Sequence, residues 1–197
     1  MDRRSILQNV AVGMGIAAAG GLAVGDESSA RAQSAPRGSH IEAADGAELY
    51  FKDWGAGRPV VFVHSWAANS DMWQYQMTPL SNDMRCVAYD RRGHGRSSQP
   101  GYGYDYDTLA DDLADVLDQL DIRGATLIGH SMGGDSALAF AEMLNGENIP
   151  VSLLVTYDPS RIASDVPPNV ERYINVYQSS NVMGGTGREE TNSPSAS

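Results

Sequence analysis

The sequence predicts an α/β fold in which a mostly parallel sheet is covered by helices on both faces. Continuous apolar runs alternate along the chain with amphipathic stretches, and this order is typical of parallel strands joined by helical crossovers. The runs at 59–64 and 85–90 lack the polar alternation of a half-exposed strand, so both strands are expected to be buried on two faces. A chain of 197 residues is long enough for one such domain.

Composition limits the partners and cofactors. The formal net charge is −11 at pH 7 and is spread along the chain, which argues against nucleic acid or an anionic membrane surface as a partner. Cys86 is the only cysteine, so an intrachain disulfide is excluded and a packing role is favoured. No His/Cys/Asp group has the spacing of metal ligands, and neither a metal nor a cofactor is predicted.

The first 32 residues are predicted to be a twin-arginine-type signal peptide. Arg3-Arg4 precedes a Gly/Ala-rich apolar run at 10–24, and Ala30-Arg31-Ala32 offers a cleavage site. A membrane anchor is the alternative, but this run is short for a bilayer span, which needs about 20 residues. We therefore expect an exported protein, periplasmic or secreted, without stable membrane insertion after cleavage. A linker is predicted at 33–39.

The folded domain is predicted at 40–182 and opens with a hairpin. Strands at 41–44 and 47–52 flank Asp45-Gly46, which favours a type I′ turn. Apolar residues alternate in the second strand with polar ones, Lys52 among them, so we expect this pair to be half exposed at a sheet edge.

Helices are predicted between the buried strands. The first lies at 71–80, between the strands at 59–64 and 85–90. Thr108 is the predicted N-cap of the second, which carries an apolar helical stripe and ends before Gly124. The stripe consists of Leu109, Leu113, Val116, Leu117 and Leu120.

A G-x-S-x-G pattern at 129–133 lies between a strand-like run and a further helical stripe. Such a strand-to-helix turn, a nucleophile elbow, exposes a serine hydroxyl above the sheet. Small residues two before and two after the serine let the neighbouring backbone pass. An ordinary Gly/Ser turn is the alternative, but the order of strand, turn and helix favours the elbow. Ser131 is therefore the candidate nucleophile.

The C-terminal part is less regular. A strand is predicted at 151–157, directly before Asp158-Pro159. The stretch at 171–178 is rich in strand-forming residues, although a helix is also possible. The tail at 183–197 has almost no apolar content and is predicted to be disordered.

Residues 40–134 resemble the serine α/β-hydrolase superfamily, and within it the cofactor-free bacterial haloperoxidases (perhydrolase-esterases). Three motifs in order carry the resemblance: Val-Val-Phe-Val-His-Ser-Trp at 60–66, Tyr-Asp-Arg-Arg-Gly-His-Gly-Arg-Ser at 89–97, and the elbow. The resemblance implies the α/β-hydrolase fold, with Ser131 as nucleophile. It also implies an oxyanion hole formed by the backbone N–H groups of Trp66 and Met132. One departure is Ser65, where many relatives have glycine.

The acid and the base are the weaker part of the resemblance. The stretch after the elbow is more similar to lipase-like or thioesterase-like bacterial hydrolases, in which a strand ends in an Asp-Pro pair. That similarity makes Asp158 the candidate triad acid, with a turn residue before proline as the alternative. In this fold the triad histidine follows the acid, but no histidine follows Ser131. We therefore expect a truncated or spliced gene product that lacks the C-terminal strands and helix.

None of the four histidines is predicted to be the catalytic base. The resemblance implies that His64 organises the oxyanion loop and that His94 belongs to a structural loop held by its glycines. His130 adjoins Ser131 but should leave the turn in another direction, and His40 precedes the first strand.

Two functions of different classes follow. The first is a secreted serine hydrolase of carboxylesterase or lipase type, which acts on a small-molecule ester through an acyl-enzyme on Ser131. The resemblance implies a perhydrolase side activity. The second is a catalytically inactive hydrolase fold or binding scaffold that keeps the elbow. The missing base separates them, because a serine hydroxyl is a poor nucleophile unless a base takes its proton.

Overall fold

One eight-stranded sheet organises the computed structural model, which describes residues 39–159, 165–178 and 187–192. The strands are β1 His40–Glu42, β2 Glu48–Trp54, β3 Arg58–Val63, β4 Met84–Tyr89, β5 Thr126–His130, β6 Leu154–Tyr157, β7 Tyr173–Gln178 and β8 Gly187–Asn192. Their spatial order is β1-β2-β4-β3-β5-β6-β7-β8. Strands β4, β3, β5, β6 and β7 run parallel, and β1, β2 and β8 pair antiparallel. The predicted mostly parallel sheet is confirmed.

Helices cover both faces of this sheet. A 3₁₀ turn at Ser70–Trp73 leads into α1 Gln74–Leu80 on one face, while α2 Tyr106–Gln119 and α3 Met132–Gly146 pack together on the other. The layer under α1 is small and contains Cys86, which is fully buried. The layer under α2 and α3 is the main core, and it includes the predicted apolar stripe of α2.

The N-terminal hairpin forms as predicted, but with another turn. A type I′ turn needs positive φ at both central residues, whereas in this turn only Gly46 has one, at 88°. The pair lies at the edge of the sheet as predicted, with β1 outermost and β2 between β1 and β4. Lys52, expected on an exposed face, is 7% exposed because its Nζ bonds to the carboxylate of Asp71.

Helix α2 begins earlier than predicted. Its N-cap is Asp105, whose Oδ1 accepts a hydrogen bond from the backbone N–H of Thr108 at 2.9 Å. The hydroxyl of Thr108 also donates to the Asp105 carboxylate, at 2.9 Å. The prediction of Thr108 as N-cap is therefore wrong, because Asp105 accepts both hydrogen bonds and Thr108 is the donor in each.

The C-terminal part contains more strand than predicted. The stretch at 171–178, for which a helix was the alternative, forms β7 beside β6. Residues Gly187–Asn192 of the predicted disordered tail pair with β7 as β8, so the prediction of disorder is wrong for these six residues. Strand pairing satisfies backbone groups and does not require apolar side chains. Near β6, Val151 forms only an isolated bridge with Val170.

The predicted signal peptide at 1–32 lies outside the described residues, as do most of the linker and the remainder of the tail. Within the described residues, no helix combines the length and the apolar character that crossing a membrane requires.

Arg92 links three segments that are distant in sequence. Its Nε and Nη2 donate to the two carboxylate oxygens of Asp112 on α2, at 2.7 and 2.6 Å. Its Nη1 donates to Oδ2 of Asp45 in the hairpin turn at 2.7 Å. Arg92 is 1% exposed, and the bond to Asp112 holds its pKa above the ordinary value for arginine. The loop after β4 is thereby fastened to α2 and to the hairpin.

We predict that Asp112→Asn lowers the free energy of unfolding by about 3 kcal/mol, because it removes half of a buried ion pair and leaves the other charge in place. Asp107→Asn on the exposed first turn of the same helix should cost less than about 1 kcal/mol. Urea unfolding followed by circular dichroism measures both values. Equal costs would contradict the role given to Arg92.

Candidate active site

Ser131 occupies the sharp turn between β5 and α3, at the carboxyl edge of the sheet. Its φ of 52° and ψ of −125° are strained for a residue with a side chain. Its backbone N–H donates to the carbonyl of Tyr157 at 2.8 Å, and its carbonyl accepts from the N–H groups of Gly134 and Asp135 at 2.8 and 3.2 Å. Strand β6 and the first turn of α3 therefore hold the strained conformation in place.

Gly129 and Gly133 allow the backbone contacts on which this turn depends. A Cβ on Gly133 would overlap the carbonyl oxygens of Val63 and His64 at the end of β3. A Cβ on Gly129 would overlap the backbone of Gly133 itself. The predicted need for small residues two before and two after the serine is confirmed.

The proposed oxyanion donors lie at the ends of adjacent strands. Trp66 follows β3 and Met132 follows β5, and β3 and β5 are direct neighbours. Within the described ranges neither backbone N–H has a hydrogen-bond acceptor, and that of Met132 belongs to the first, unpaired turn of α3. Both groups stay the predicted donors for a negatively charged oxygen above this edge.

His64 directly follows β3, is fully buried and is fixed by two hydrogen bonds. Its Nδ1–H donates to the carbonyl of Ser65 at 2.7 Å, and its Nε2 accepts from the backbone N–H of Arg91 at 2.9 Å. Burial, together with the charge of Arg91, lowers the pKa of His64 to about 4. The neutral ring thus orients the Ser65–Trp66 peptide and has no nitrogen left to take a proton from Ser131.

The other histidines are also placed away from that task. His94 donates through Nδ1 to the carbonyl of Arg92 at 2.9 Å and packs edge-on against Trp66, with ring centroids 5.0 Å apart. His40 bonds through Nε2 to the carbonyl of Arg96 at 3.2 Å. Nδ1 of His130 is buried without a partner among the described residues. In that part of the chain, no histidine ring is hydrogen-bonded to Ser131.

Asp158 directly follows β6, next to the elbow. Because His130 and Tyr157 are paired in the parallel ladder of β5 and β6, Ser131 and Asp158 leave the sheet at the same edge. Asp158 is exposed, has a φ of 42°, and donates its N–H to the carbonyl of Val176 at 2.9 Å. This position is compatible both with a triad acid and with a turn residue before Pro159.

Asp90, at the end of β4, is a structural carboxylate. It is fully buried, and its two oxygens accept from the backbone N–H groups of Ser70 and Arg96 at 2.6 and 2.8 Å. Asp90 therefore joins the loop after β3 to the loop after β4. The polar triplet Asp90-Arg91-Arg92 after a buried strand was the only sequence signal for these roles, and the partners of each residue could not be derived from it.

In the described part of the chain, Ser131 lies neither in a group of metal-binding side chains nor in the one cavity described below. No group of three or more His, Cys, Asp or Glu side chains in the described part of the chain is arranged to hold a metal ion. A cavity of about 400 Å³ is lined by residues at the starts of β3 and β5, among them Arg58 and Thr126, and by Arg123. It therefore lies at the opposite edge of the sheet from the serine.

Comparisons with known proteins support the fold and the family resemblance. The alpha/beta hydrolase fold family matches residues 58–196. Non-heme chloroperoxidase CPO-A1 of Kitasatospora aureofaciens is 46% identical over 127 residues, which are 64% of this chain and 46% of that protein. The bifunctional esterase/perhydrolase DCH of Acinetobacter calcoaceticus is 38% identical over 61% of this chain and 45% of its own length. The chain spans about half the length of the curated relatives that it matches.

Solved structures give the same result. An esterase from Exiguobacterium antarcticum superposes with a TM-score of 0.58 at 41% identity, over 63% of this chain and 46% of that one. A bromoperoxidase from Bacillus anthracis superposes with a TM-score of 0.57 at 34% identity, over 66% of this chain and 49% of that one. The resemblance to haloperoxidase-esterases is confirmed.

We predict that Gly133→Ala destabilises the protein by about 3 kcal/mol, because the new methyl group meets fixed backbone of β3 rather than a movable side chain. The matched control is Gly146→Ala at the other end of α3, where a Cβ meets nothing within 4 Å. That change should alter stability by less than about 1 kcal/mol. Thermal and urea unfolding measure both, and a tolerated Gly133→Ala would contradict the backbone packing described above.

A second prediction concerns pH and stability. The unfolded chain protonates His64 below about pH 6.5, whereas the folded protein does so only below about pH 4. Stability from this residue is therefore complete above pH 6.5 and falls by about 3 kcal/mol as the pH decreases through that window. Between pH 4 and 7, the free energy of unfolding obtained from urea curves should change with pH along a shallower slope in His64→Asn than in wild type. Equal slopes for His64→Asn and wild type would disprove the assignment.

Proposed function

The chain belongs to the alpha/beta hydrolase fold family, and on this premise we propose that it is a serine hydrolase of the carboxylesterase type. It acts on a small-molecule ester through an acyl-enzyme on Ser131. The observation that supports this proposal most directly is the strained turn at Ser131, which is held by the carbonyl of Tyr157 and by close backbone packing at Gly133. Two backbone N–H groups, those of Trp66 and Met132, are available at the same edge.

The proposed reaction has two halves. The hydroxyl oxygen of Ser131 attacks the ester carbonyl carbon, its proton passes to a base, and the carbonyl oxygen becomes negatively charged. The N–H groups of Trp66 and Met132 stabilise that charge. The intermediate then collapses, the alcohol leaves with a proton, and the acyl group remains on Ser131. Water attacks the acyl-enzyme in the second half and releases the acid.

Proton removal is the slow step that we propose for this chain. His64 has both nitrogens engaged, and a residue with a pKa of about 4 is a weak base at neutral pH. Asp158 is the proposed acid that would orient a base at this edge. A small base from solution, such as imidazole, is expected to take the place of the missing group.

The finer features of the proposal concern the second substrate and the location. Relatives named chloroperoxidase and esterase/perhydrolase support a side reaction in which hydrogen peroxide, in place of water, attacks the acyl-enzyme. The acyl group then leaves Ser131 as a peracid. Lipase-like preference is supported by the Asp158-Pro159 pair. Export to the periplasm or beyond is proposed from Arg3-Arg4 and the apolar run at 10–24.

A second candidate function is an inactive scaffold that keeps the hydrolase fold. The arrangement of the four histidines favours it, since none of them is hydrogen-bonded to Ser131 within the described residues. Loss of triad members leaves roughly 10³–10⁴-fold catalysis over water from the oxyanion hole and binding, so weak hydrolysis alone does not distinguish the two functions.

We predict that a fluorophosphonate labels the full chain on Ser131, that Ser131→Ala abolishes labelling, and that the exposed Ser152→Ala leaves it unchanged. The increase that imidazole causes in the rate of 4-nitrophenyl acetate hydrolysis should be about tenfold larger in wild type than in Ser131→Ala. Imidazole supplies a base, and a base helps only where a nucleophile exists. Mass spectrometry and absorbance measure these results. Equal rates in wild type and Ser131→Ala, with no labelling, would establish the scaffold instead.

A further inference from the structure

Arg91 is a buried cation that the proposed reaction does not use. It is 1% exposed, and its Nη1 lies 3.4 Å from the hydroxyl oxygen of Ser136 on α3. Its Nε and Nη2 have no hydrogen-bond partner among the described residues. The neighbouring Arg92, in contrast, is fully engaged by Asp112 and Asp45.

Direct hydrogen bonds account only in part for an arginine at this position. Burial of a partly unpaired guanidinium is unfavourable, and burial indeed lowers the pKa of Arg91. Replacing buried charged groups by apolar residues of similar volume is often neutral or stabilising. The role of Arg91 is therefore inferred from the groups that it contacts.

The main chain of Arg91 reaches one oxyanion donor. Its N–H donates to Nε2 of His64 at 2.9 Å, and this bond leaves the ring proton on Nδ1. Nδ1 in turn donates to the carbonyl of Ser65 at 2.7 Å. That carbonyl belongs to the same peptide group as the N–H of Trp66, so the orientation of this donor follows from the backbone of Arg91.

The side chain of Arg91 reaches, through Ser136, the carbonyl of the residue that carries the other donor. Nη1 contacts the hydroxyl of Ser136, and that hydroxyl donates to the carbonyl of Met132 at 2.9 Å. Met132 is the first residue of α3 and provides the second N–H. The position of this first helical turn relative to β4 therefore depends on the Arg91 side chain.

We propose that Arg91 is a positioning residue that joins the two backbone donors of the oxyanion hole. One residue fixes the Ser65–Trp66 peptide through its main chain and the Met132 turn through its side chain. The distance and angle between the two N–H groups are thereby set before substrate binds. The proposal rests on the proposed function, because it assigns the role within the same oxyanion hole.

The test compares Arg91→Met, Ser136→Ala and the double variant. Each single change should lower the second-order rate of fluorophosphonate labelling of Ser131 by about tenfold, as expected when one donor is displaced but not removed. The double variant should be no slower than the slower single variant, because both changes break one connection. Arg91→Lys should recover part of the rate. Melting temperatures should not follow the order of the rates.

Amide NMR spectra of the full chain separate this proposal from the proposed function. Arg91→Met should shift the Met132 amide signal and leave that of Trp66, whereas His64→Asn should shift Trp66 and leave Met132. These shifts do not require a reactive serine. An unlabelled wild type with the expected shifts would overturn the hydrolase and retain the positioning role. Unchanged amide signals, additive rate losses, or losses that parallel the melting temperatures would overturn the positioning role itself.

Discussion

The contact between the first turn of α3 and the end of β3 is the constraint on which the site depends. At Gly133 the two backbones are too close for any side chain, so the start of the helix is fixed directly on the sheet. Ser131 keeps its strained conformation because this contact fixes the turn that follows it and because its own N–H donates to the carbonyl of Tyr157. The strain is stored by backbone contacts, and no side-chain hydrogen bond of the serine is needed to maintain it.

A buried polar layer performs the corresponding task for the loops above the sheet. Asp90, Arg91 and Arg92 follow β4 as consecutive residues, and each bonds in a different direction. Asp90 holds the loops after β3 and β4, Arg92 holds the hairpin and α2, and Arg91 contacts His64 and Ser136. Such a layer fixes the loops through the hydrogen bonds it makes, and the loss of one of them is costly because it leaves a buried polar group unpaired. The positions of the loops after β3 and β4 therefore depend on hydrogen bonds to the hairpin and to the helices α2 and α3.

The sequence predicts this molecule well where a local pattern determines the structure and poorly where a distant partner does. Buried strands, the stripe of α2 and the elbow are visible in periodicity and spacing alone. Asp105 and Thr108 can both cap a helix, so the sequence alone does not decide which of them is the N-cap. Asp-Gly likewise suits more than one turn type, and the neighbouring backbone decides which one forms. Lys52 is buried because of Asp71, which lies 19 residues away. Strand β8 has no apolar pattern, and only its pairing with β7 identifies it.

The two hydrogen bonds of His64 make this residue unsuitable as the base for Ser131. To accept the proton of Ser131, the ring would release either the N–H of Arg91 or the carbonyl of Ser65, and each buried group left unpaired would cost about 1–3 kcal/mol. The released ring would also keep the environment that lowers its pKa to about 4. Because its hydrogen bonds orient the Ser65–Trp66 peptide, which carries a proposed oxyanion donor, use of His64 as a base would disturb the site. Turnover on the proposed nucleophile therefore requires another base, whereas the strained turn at Ser131 and the two proposed donors are held in place without one.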